Sequence, residues 1–83
     1  MIVYKYNLGF KSEQDIYIPI GGKFLCAKNQ DGNIVVYYLV DKSEDVLPHT
    51  LLIVGTGWEI PEELKYLDTV MIDEFVWHIF ERI

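Results

Sequence analysis

Apolar side chains recur at every second position through much of this chain, and a period of two restricts it to β-structure. The alternation is clear in residues 2–8 and again in residues 15–20, where it is typical of half-buried strands. The second segment runs into Pro19 and a Gly-Gly pair, which indicates a strand end because proline cannot donate a hydrogen bond to a ladder. No stretch of about ten residues keeps a helical period.

The strongest local signal is a β-hairpin with Asp31-Gly32 at its tip. This dipeptide suits the positive φ angles of a two-residue hairpin turn, and β-branched and aromatic residues flank it. The strand that follows, residues 34–40, is apolar on both faces. That pattern predicts a central strand covered on both sides.

Further strands are predicted over residues 50–54, 66–72 and 75–80. The acidic connection 41–48 is expected to be a mobile loop, because its like charges repel. Residues 61–64 could form one helical turn, since proline fits the first helical position and acidic side chains favour the positive end of the helix dipole.

The fold class predicted from these segments is all-β and mainly antiparallel, in a single domain covering residues 1–83. We expect a small sandwich or roll of about six to seven short strands with at most one helical turn. Twelve aromatic residues in a chain that is 51% hydrophobic exceed what so small a core can hide, so a homo-oligomer is expected.

The charge and the cysteine content of the chain limit which binding partners and which cellular compartment are expected. Seven basic and thirteen acidic side chains give a net charge of −6, which opposes binding to duplex nucleic acid. Cys26 is the single cysteine, so an intrachain disulfide is impossible and a cytosolic setting is expected. No leader-like segment opens the sequence, and no apolar run approaches the ~20 residues of a membrane span. A soluble, cytoplasmic protein is therefore predicted.

No catalytic constellation is visible. His49, His78 and Cys26 lack the close spacing of a zinc site, and the acidic pairs fall in predicted turns. Ser12 and Ser43 have neither a nucleophile-elbow sequence nor an adjacent base. We predict a binding protein rather than an enzyme, with no catalytic residues, no metal and no cofactor.

A candidate ligand site is predicted at the loop formed by Gly55, Thr56, Gly57 and Trp58. Glycine allows backbone amides to approach a phosphate closely, and an aromatic face beside them could seat a nucleobase. The glycine spacing differs from that of a P-loop or dinucleotide fingerprint, so a simple strand-end bend is the alternative. Lys23 or Lys28 could neutralise a phosphate.

Two further side chains are added to the predicted site. Tyr38 belongs to a set of six tyrosines expected at the core edge, at a subunit interface or in a ligand pocket. His78 follows Trp77 in the last predicted strand and is flanked by apolar neighbours. It is either a hydrogen-bonded structural histidine or a ligand-contacting and pH-sensing one.

Several motifs together resemble a family of small proteins from tailed phages and prophages. They are Tyr4-Lys5-Tyr6, Ile16-Tyr17-Ile18-Pro19, Gln30-Asp31-Gly32, Leu39-Val40-Asp41, Gly55-Thr56-Gly57, Tyr66-Leu67-Asp68-Thr69-Val70 and Phe75-Val76-Trp77-His78-Ile79-Phe80-Glu81. Two positions depart from the family pattern, with Tyr37 in place of tryptophan and Asp68 in place of glycine.

The resemblance implies a phage setting and the host-cell cytoplasm, where such short proteins commonly act as accessory or anti-defence factors. Combined with the candidate site, it suggests a protein that sequesters a nucleotide-derived host immune signal. Two alternatives stay open: an inhibitor that docks on a host or phage protein, and a minor structural or assembly component.

Overall fold

The computed structural model describes residues 1–60 and 63–83 and places them in two antiparallel β-sheets. The strands are β1 (Ile2–Leu8), β2 (Glu13–Pro19), β3 (Lys23–Gln30), β4 (Asn33–Val40), β5 (Val46–Gly55), β6 (Leu64–Ile72) and β7 (Phe75–Arg82). One sheet has the order β1-β4-β3 and the other the order β2-β5-β7-β6. The predicted small all-β sandwich is confirmed.

The β3–β4 hairpin has the predicted two-residue turn. Asp31 and Gly32 adopt φ angles of 53° and 83°, and Gln30 pairs with Asn33 across the turn. The Asn29 side-chain oxygen accepts a hydrogen bond from the Gly32 amide at 2.9 Å, which fixes the turn from the side of β3. Positive φ at both turn positions matches the right-handed twist of the strands, as the Asp-Gly pair predicts.

Strand β4 is the centre of the three-stranded sheet, and one of its faces packs in the core. Ile34 and Val36 belong to the core between the sheets, whereas the fully buried Val35 lies outside that core cluster. Tyr37 and Leu39, which share the face of Val35, are half-buried, so the predicted coverage of both faces is complete on the core side only.

The core lies between the two sheets and is filled by alternate residues of their strands. Its buried members are Leu8, Ile16, Ile18, Ala27, Ile34, Val36, Tyr38, Val40, Leu51, Ile53, Val70, Ile72 and Ile79. The half-buried aromatic side chains of Tyr4, Tyr6, Phe24 and Trp77 pack around this cluster. The aromatic residues thus gather near the ends of the sandwich, where the two sites described below lie.

The predicted loop at 41–48 is shorter than expected, because β5 already begins at Val46. Pro48 is accommodated within this strand opposite Tyr17 of β2. On its other side β5 pairs with β7 only from Leu51 onward, so no ladder partner is lost at the proline. In the remaining turn, the hydroxyl and amide of Ser43 donate to Asp41 and lower the pKa of its carboxyl.

The helical turn predicted at 61–64 falls on residues 61 and 62, which lie outside the described residues, and Leu64 is already the first residue of β6. None of the described residues forms a helix with the length and apolar character that crossing a membrane requires.

Asp68 joins the edge strands of the two sheets. A bulge in β6 between Tyr66 and Asp68 turns this carboxylate toward β3. One carboxylate oxygen accepts a hydrogen bond from the Ala27 amide at 2.9 Å, and the other accepts one from the Thr69 amide at 2.8 Å. The φ angle of Asp68 is not positive. The backbone at this position therefore does not require the conformational freedom of glycine.

Replacing Asp68 with alanine should lower the free energy of unfolding by about 1–3 kcal/mol, because the amide of the buried Ala27 loses its acceptor. Asp68→Asn keeps one carbonyl oxygen and should recover part of the loss. Urea denaturation of the three proteins tests this expectation. Equal midpoints for wild type and Asp68→Ala would show that the bridge between the sheets contributes nothing to stability.

Candidate functional site

Two concave sites lie at opposite ends of strands β5 and β7. The larger one, here called the basic cleft, has a volume of about 580 Å³ and is bordered by Lys23, Tyr38, His49, Lys65, Glu81 and Arg82. The smaller one, the aromatic notch, has a volume of about 130 Å³ and is bordered by Phe10, Trp58 and Trp77. Trp77 and Glu81 are four residues apart on β7, which separates the two sites by about 13 Å along the strand.

The basic cleft concentrates positive charge in an acidic protein. Lys23, Lys65 and Arg82 are three of the seven cationic side chains of the chain, and all three line this one cleft. Arg82 is held at the margin by its ion pair with Glu13, to which Nε donates at 3.0 Å. Within residues 1–60 and 63–83, no ion pair involves Lys23 or Lys65. Both ammonium groups are thus available to an anion.

A histidine–carboxylate pair forms part of the cleft wall. The ring Nδ1 of His49 lies 2.5 Å from a carboxylate oxygen of Glu81, and both side chains are partly buried. The His49 side chain is on β5 and turns toward Glu81 of β7. Lys65 is directly opposite Glu81 in the β6–β7 register. The lining of the cleft thus holds three cationic side chains, Lys23, Lys65 and Arg82, and one acidic side chain, Glu81.

Tyr38 borders the cleft with an unsatisfied hydroxyl. The residue is only 2% exposed, and among the described residues its hydroxyl is the one buried side-chain polar atom without a hydrogen-bond partner. Burial, and after it the charges of Glu81 and Tyr6, raise the pKa of Tyr38 above the ordinary tyrosine value. The hydroxyl is therefore neutral at physiological pH and keeps a proton to donate. A buried hydroxyl without a partner is destabilising, which makes this atom a candidate ligand contact.

Aromatic rings hold Tyr38 in place and form part of the cleft wall. Its ring lies 5.5 Å from that of Phe24 and 5.9 Å from that of Tyr6, both in edge-to-face geometry. Tyr66, on the opposite sheet, is 53% exposed and lines the same cleft. Phe24 and Leu67 offer apolar surface next to the cationic groups, a combination suited to a ligand with a flat ring and an anionic group.

The predicted glycine-tryptophan loop forms the other site, the aromatic notch. Gly57 has a φ angle of 87°, and the Trp58 amide donates to the Gly55 carbonyl at 3.2 Å, which closes a tight turn after β5. The Trp58 side chain is 58% exposed and lies edge-to-face against Trp77 at 5.8 Å. Trp58 is thus a surface ring, as a stacking role requires.

His78 lies on the outer face of the four-stranded sheet, where both of its ring nitrogens are engaged. Nε2 is 2.8 Å from the Thr56 hydroxyl and Nδ1 is 3.0 Å from the Thr69 hydroxyl. The Thr69 hydroxyl is in turn 2.7 Å from that of Tyr66. This chain of hydrogen bonds ties the loop after β5 to strands β6 and β7, so His78 has a structural role.

The family to which the chain belongs follows from a match over its whole length. The family model described as Domain of unknown function (DUF7352) matches residues 1–83. The chain belongs to this family. No curated protein and no solved structure matches it.

The structure of this DUF7352 chain divides the predicted site residues among three places. Lys23 and Tyr38 meet in the basic cleft, Gly55, Thr56, Gly57 and Trp58 form the loop at the aromatic notch, and His78 lies on the outer face of the sheet. The predicted residues do not form one pocket, because the basic cleft and the aromatic notch lie at opposite ends of strands β5 and β7.

Four polar residues of the cleft were not predicted: His49, Lys65, Glu81 and Arg82. Each looks like a solvated side chain in the sequence, and only the pairing of β6 and β5 with β7 brings them together. Within the described part of the chain, no group of three or more histidine, cysteine, aspartate or glutamate side chains is arranged to hold a metal ion. The free Cys26 is half-buried on β3.

Proposed function

We propose that this protein binds a small, anionic, nucleotide-type ligand in the basic cleft. The observation that supports this most strongly is that Lys23, Lys65 and Arg82 line the same cleft as Tyr38, whose hydroxyl has no hydrogen-bond partner. A chain with a net charge of −6 has no general attraction for anions, so a local cluster of three cations favours one bound anion over diffuse binding.

The parts of the cleft suggest how such a ligand would lie. The ammonium groups of Lys23 and Lys65 would contact phosphate oxygens, and the Tyr38 hydroxyl would donate to a further oxygen. A base or ribose would lie against Phe24 and Leu67, which line the cleft from the two sheets. The cleft volume of about 580 Å³ falls in the range of small-molecule sites.

The biological setting of the proposal comes from the resemblance to tailed-phage proteins. A phage protein that binds a nucleotide-derived host immune signal, without converting it, would act as an anti-defence factor in the host cytoplasm. Exposed apolar side chains such as Ile2, Val46 and Leu47 support the further proposal that it does so as a homo-oligomer. No step of this proposal requires a catalytic group, a metal or a cofactor.

A thermal-shift screen against nucleotides, cyclic oligonucleotides and adenosine-diphosphate-ribose derivatives tests the proposal. A ligand at a hundredfold excess over its dissociation constant stabilises the fold by about 2.7 kcal/mol, which raises the melting temperature measurably. The bound ligand should be recovered chemically unchanged after incubation, as chromatography would show. A flat screen with folded protein would count against the proposal.

Removing the lysines of the cleft should weaken ligand binding. Lys23→Ala and Lys65→Ala are each expected to reduce affinity by about two- to fivefold, because each removes one solvent-accessible ion pair with the ligand. Lys28→Ala is the matched control, since Lys28 is exposed on β3 like Lys23 but lies away from the cleft. Isothermal titration calorimetry at low and high salt measures the effect. Equal losses for Lys23→Ala and Lys28→Ala would place the ligand elsewhere.

A further inference from the structure

The aromatic notch gathers four rings at the end of the sandwich opposite the basic cleft. Trp77 is half-buried at its base, and its ring lies 6.0 Å from Phe10, 5.8 Å from Trp58 and 6.2 Å from Phe75. Phe10, Trp58 and Phe75 are 57%, 58% and 59% exposed. An exposed cluster of large rings is typical of a binding surface rather than of a surface that faces only water.

The rings are held in place before any partner arrives. Gly55 has no side chain, and a Cβ atom there would lie 2.8 Å from the Trp58 ring, so the indole packs directly on the backbone of β5. The hydrogen bond from the Trp58 amide to the Gly55 carbonyl fixes the same turn. The edge-to-face contact of Trp58 with Trp77, at 78° between the ring planes, stabilises that orientation. Little side-chain entropy is therefore lost on binding.

Acidic side chains adjoin the aromatic rings in the chain, and the β6–β7 register places Asp73 and Glu74 in the turn next to Phe75. Glu59 follows Trp58 in the chain, and Asp73 and Glu74 precede Phe75, and all three side chains are exposed. Lys11, beside Phe10, is the single cation among the immediate neighbours of these rings in the sequence. Acidic side chains around aromatic faces repel an anion and attract a cation, and the ring faces attract a cation as well.

We propose that the aromatic notch binds an arginine side chain presented by a basic segment of a protein partner. The notch volume of about 130 Å³ suits one flat group, and a guanidinium stacks on indole and phenyl rings while its edge donates to carboxylates. Ile60, two residues after Trp58, is 44% exposed. A partner chain could cover such apolar surface, whereas a free cation could not. The surface is distinct from the nucleotide-type site proposed for the basic cleft.

Tryptophan fluorescence gives a direct test, because Trp58 and Trp77 are the two tryptophans of the chain and both line the notch. The probes are the peptide acetyl-Leu-Arg-Leu-amide and its citrulline counterpart, which has nearly the same shape without the charge. The arginine peptide should change the emission and bind about five- to thirtyfold more tightly than the citrulline peptide. Equal affinity of the two peptides, or no change in emission with millimolar arginine peptide, would overturn the proposal.

Two variants locate the binding. Phe10→Ala removes one exposed ring, and Gly55→Ala displaces the Trp58 indole without removing a ring. Both should lose the preference for the arginine peptide, whereas Tyr17→Ala, which removes an equally exposed ring on β2, should keep it. Circular dichroism confirms that each variant folds. Because Phe10 is exposed, Phe10→Ala tests the proposal even if Gly55→Ala unfolds, and full arginine preference in Phe10→Ala would contradict it.

Discussion

Ile79→Ala is expected to lower the free energy of unfolding by about 2–5 kcal/mol, one of the two largest effects we predict for this protein. Ile79 is fully buried in the core between the sheets. Its strand, β7, is flanked by β5 on one side and β6 on the other, so the residue pairs with Ile53 across one ladder and with Asp68 across the other. The substitution leaves a cavity that neighbours on two fixed strands cannot fill.

The measurement is urea denaturation followed by far-UV circular dichroism, with Met71→Ala as the control. Met71 is 62% exposed on the neighbouring strand β6, so its truncation should change stability by less than about 0.5 kcal/mol. A chain of this length has a total stability of about 4–12 kcal/mol, and Ile79→Ala could therefore remove half of it. A loss below about 1 kcal/mol would mean that the core adjusts around β7 far more readily than its packing indicates.

The strands could be predicted from the sequence because their signals are local. Alternation of apolar residues marks β1 and β2, and the Asp31-Gly32 pair marks the β3–β4 hairpin, where the turn and both flanking strands agree. The predicted positions of the strand ends were less accurate, because polar residues at the ends of strands look like loop residues. The start of β5 at Val46 shows this, since cross-strand pairing with β2 extends a strand that its own sequence would end later.

The basic cleft could not be predicted, because its parts come from five strands of two different sheets. Lys23 and Tyr38 are on the three-stranded sheet, whereas His49 and Lys65 are on the four-stranded one. Their proximity depends on strand order and on how the sheets face each other, and neither has a local signal. The exposed loop with Trp58 could be found from the sequence because all of its residues are neighbours in the chain.

Tyr38→Phe is expected to stabilise the fold and at the same time to weaken binding of the nucleotide-type ligand. The free energy of unfolding should rise by up to about 1–3 kcal/mol, because the variant no longer buries a hydroxyl without a partner. If that hydroxyl donates to an anionic ligand in the basic cleft, its loss should reduce affinity by about 10- to 150-fold. The two effects have opposite signs and are measured separately, by urea denaturation and by calorimetry.

The pH dependence of stability provides a check that needs no ligand. Burial, followed by the charges of Glu81 and Tyr6, raises the pKa of Tyr38, and burial also raises the pKa of Tyr6. Above about pH 10 the unfolded chain loses tyrosine protons that the folded chain keeps, so wild-type stability should fall as pH rises through that range. Tyr38→Phe should show a smaller fall, because it removes one of the two tyrosines whose pKa is raised.

A stabilised Tyr38→Phe protein that binds ligand as well as wild type would make the hydroxyl a packing defect rather than a ligand contact. The structure favours the contact, because phenylalanine would fill the same space among the rings of Tyr6, Phe24 and His49 without the unsatisfied atom. A tyrosine at this place lowers stability, and the proposed hydrogen bond to an anion in the cleft would offset that loss only when the ligand is bound. The opposite changes in stability and affinity are therefore what a binding function predicts for this residue.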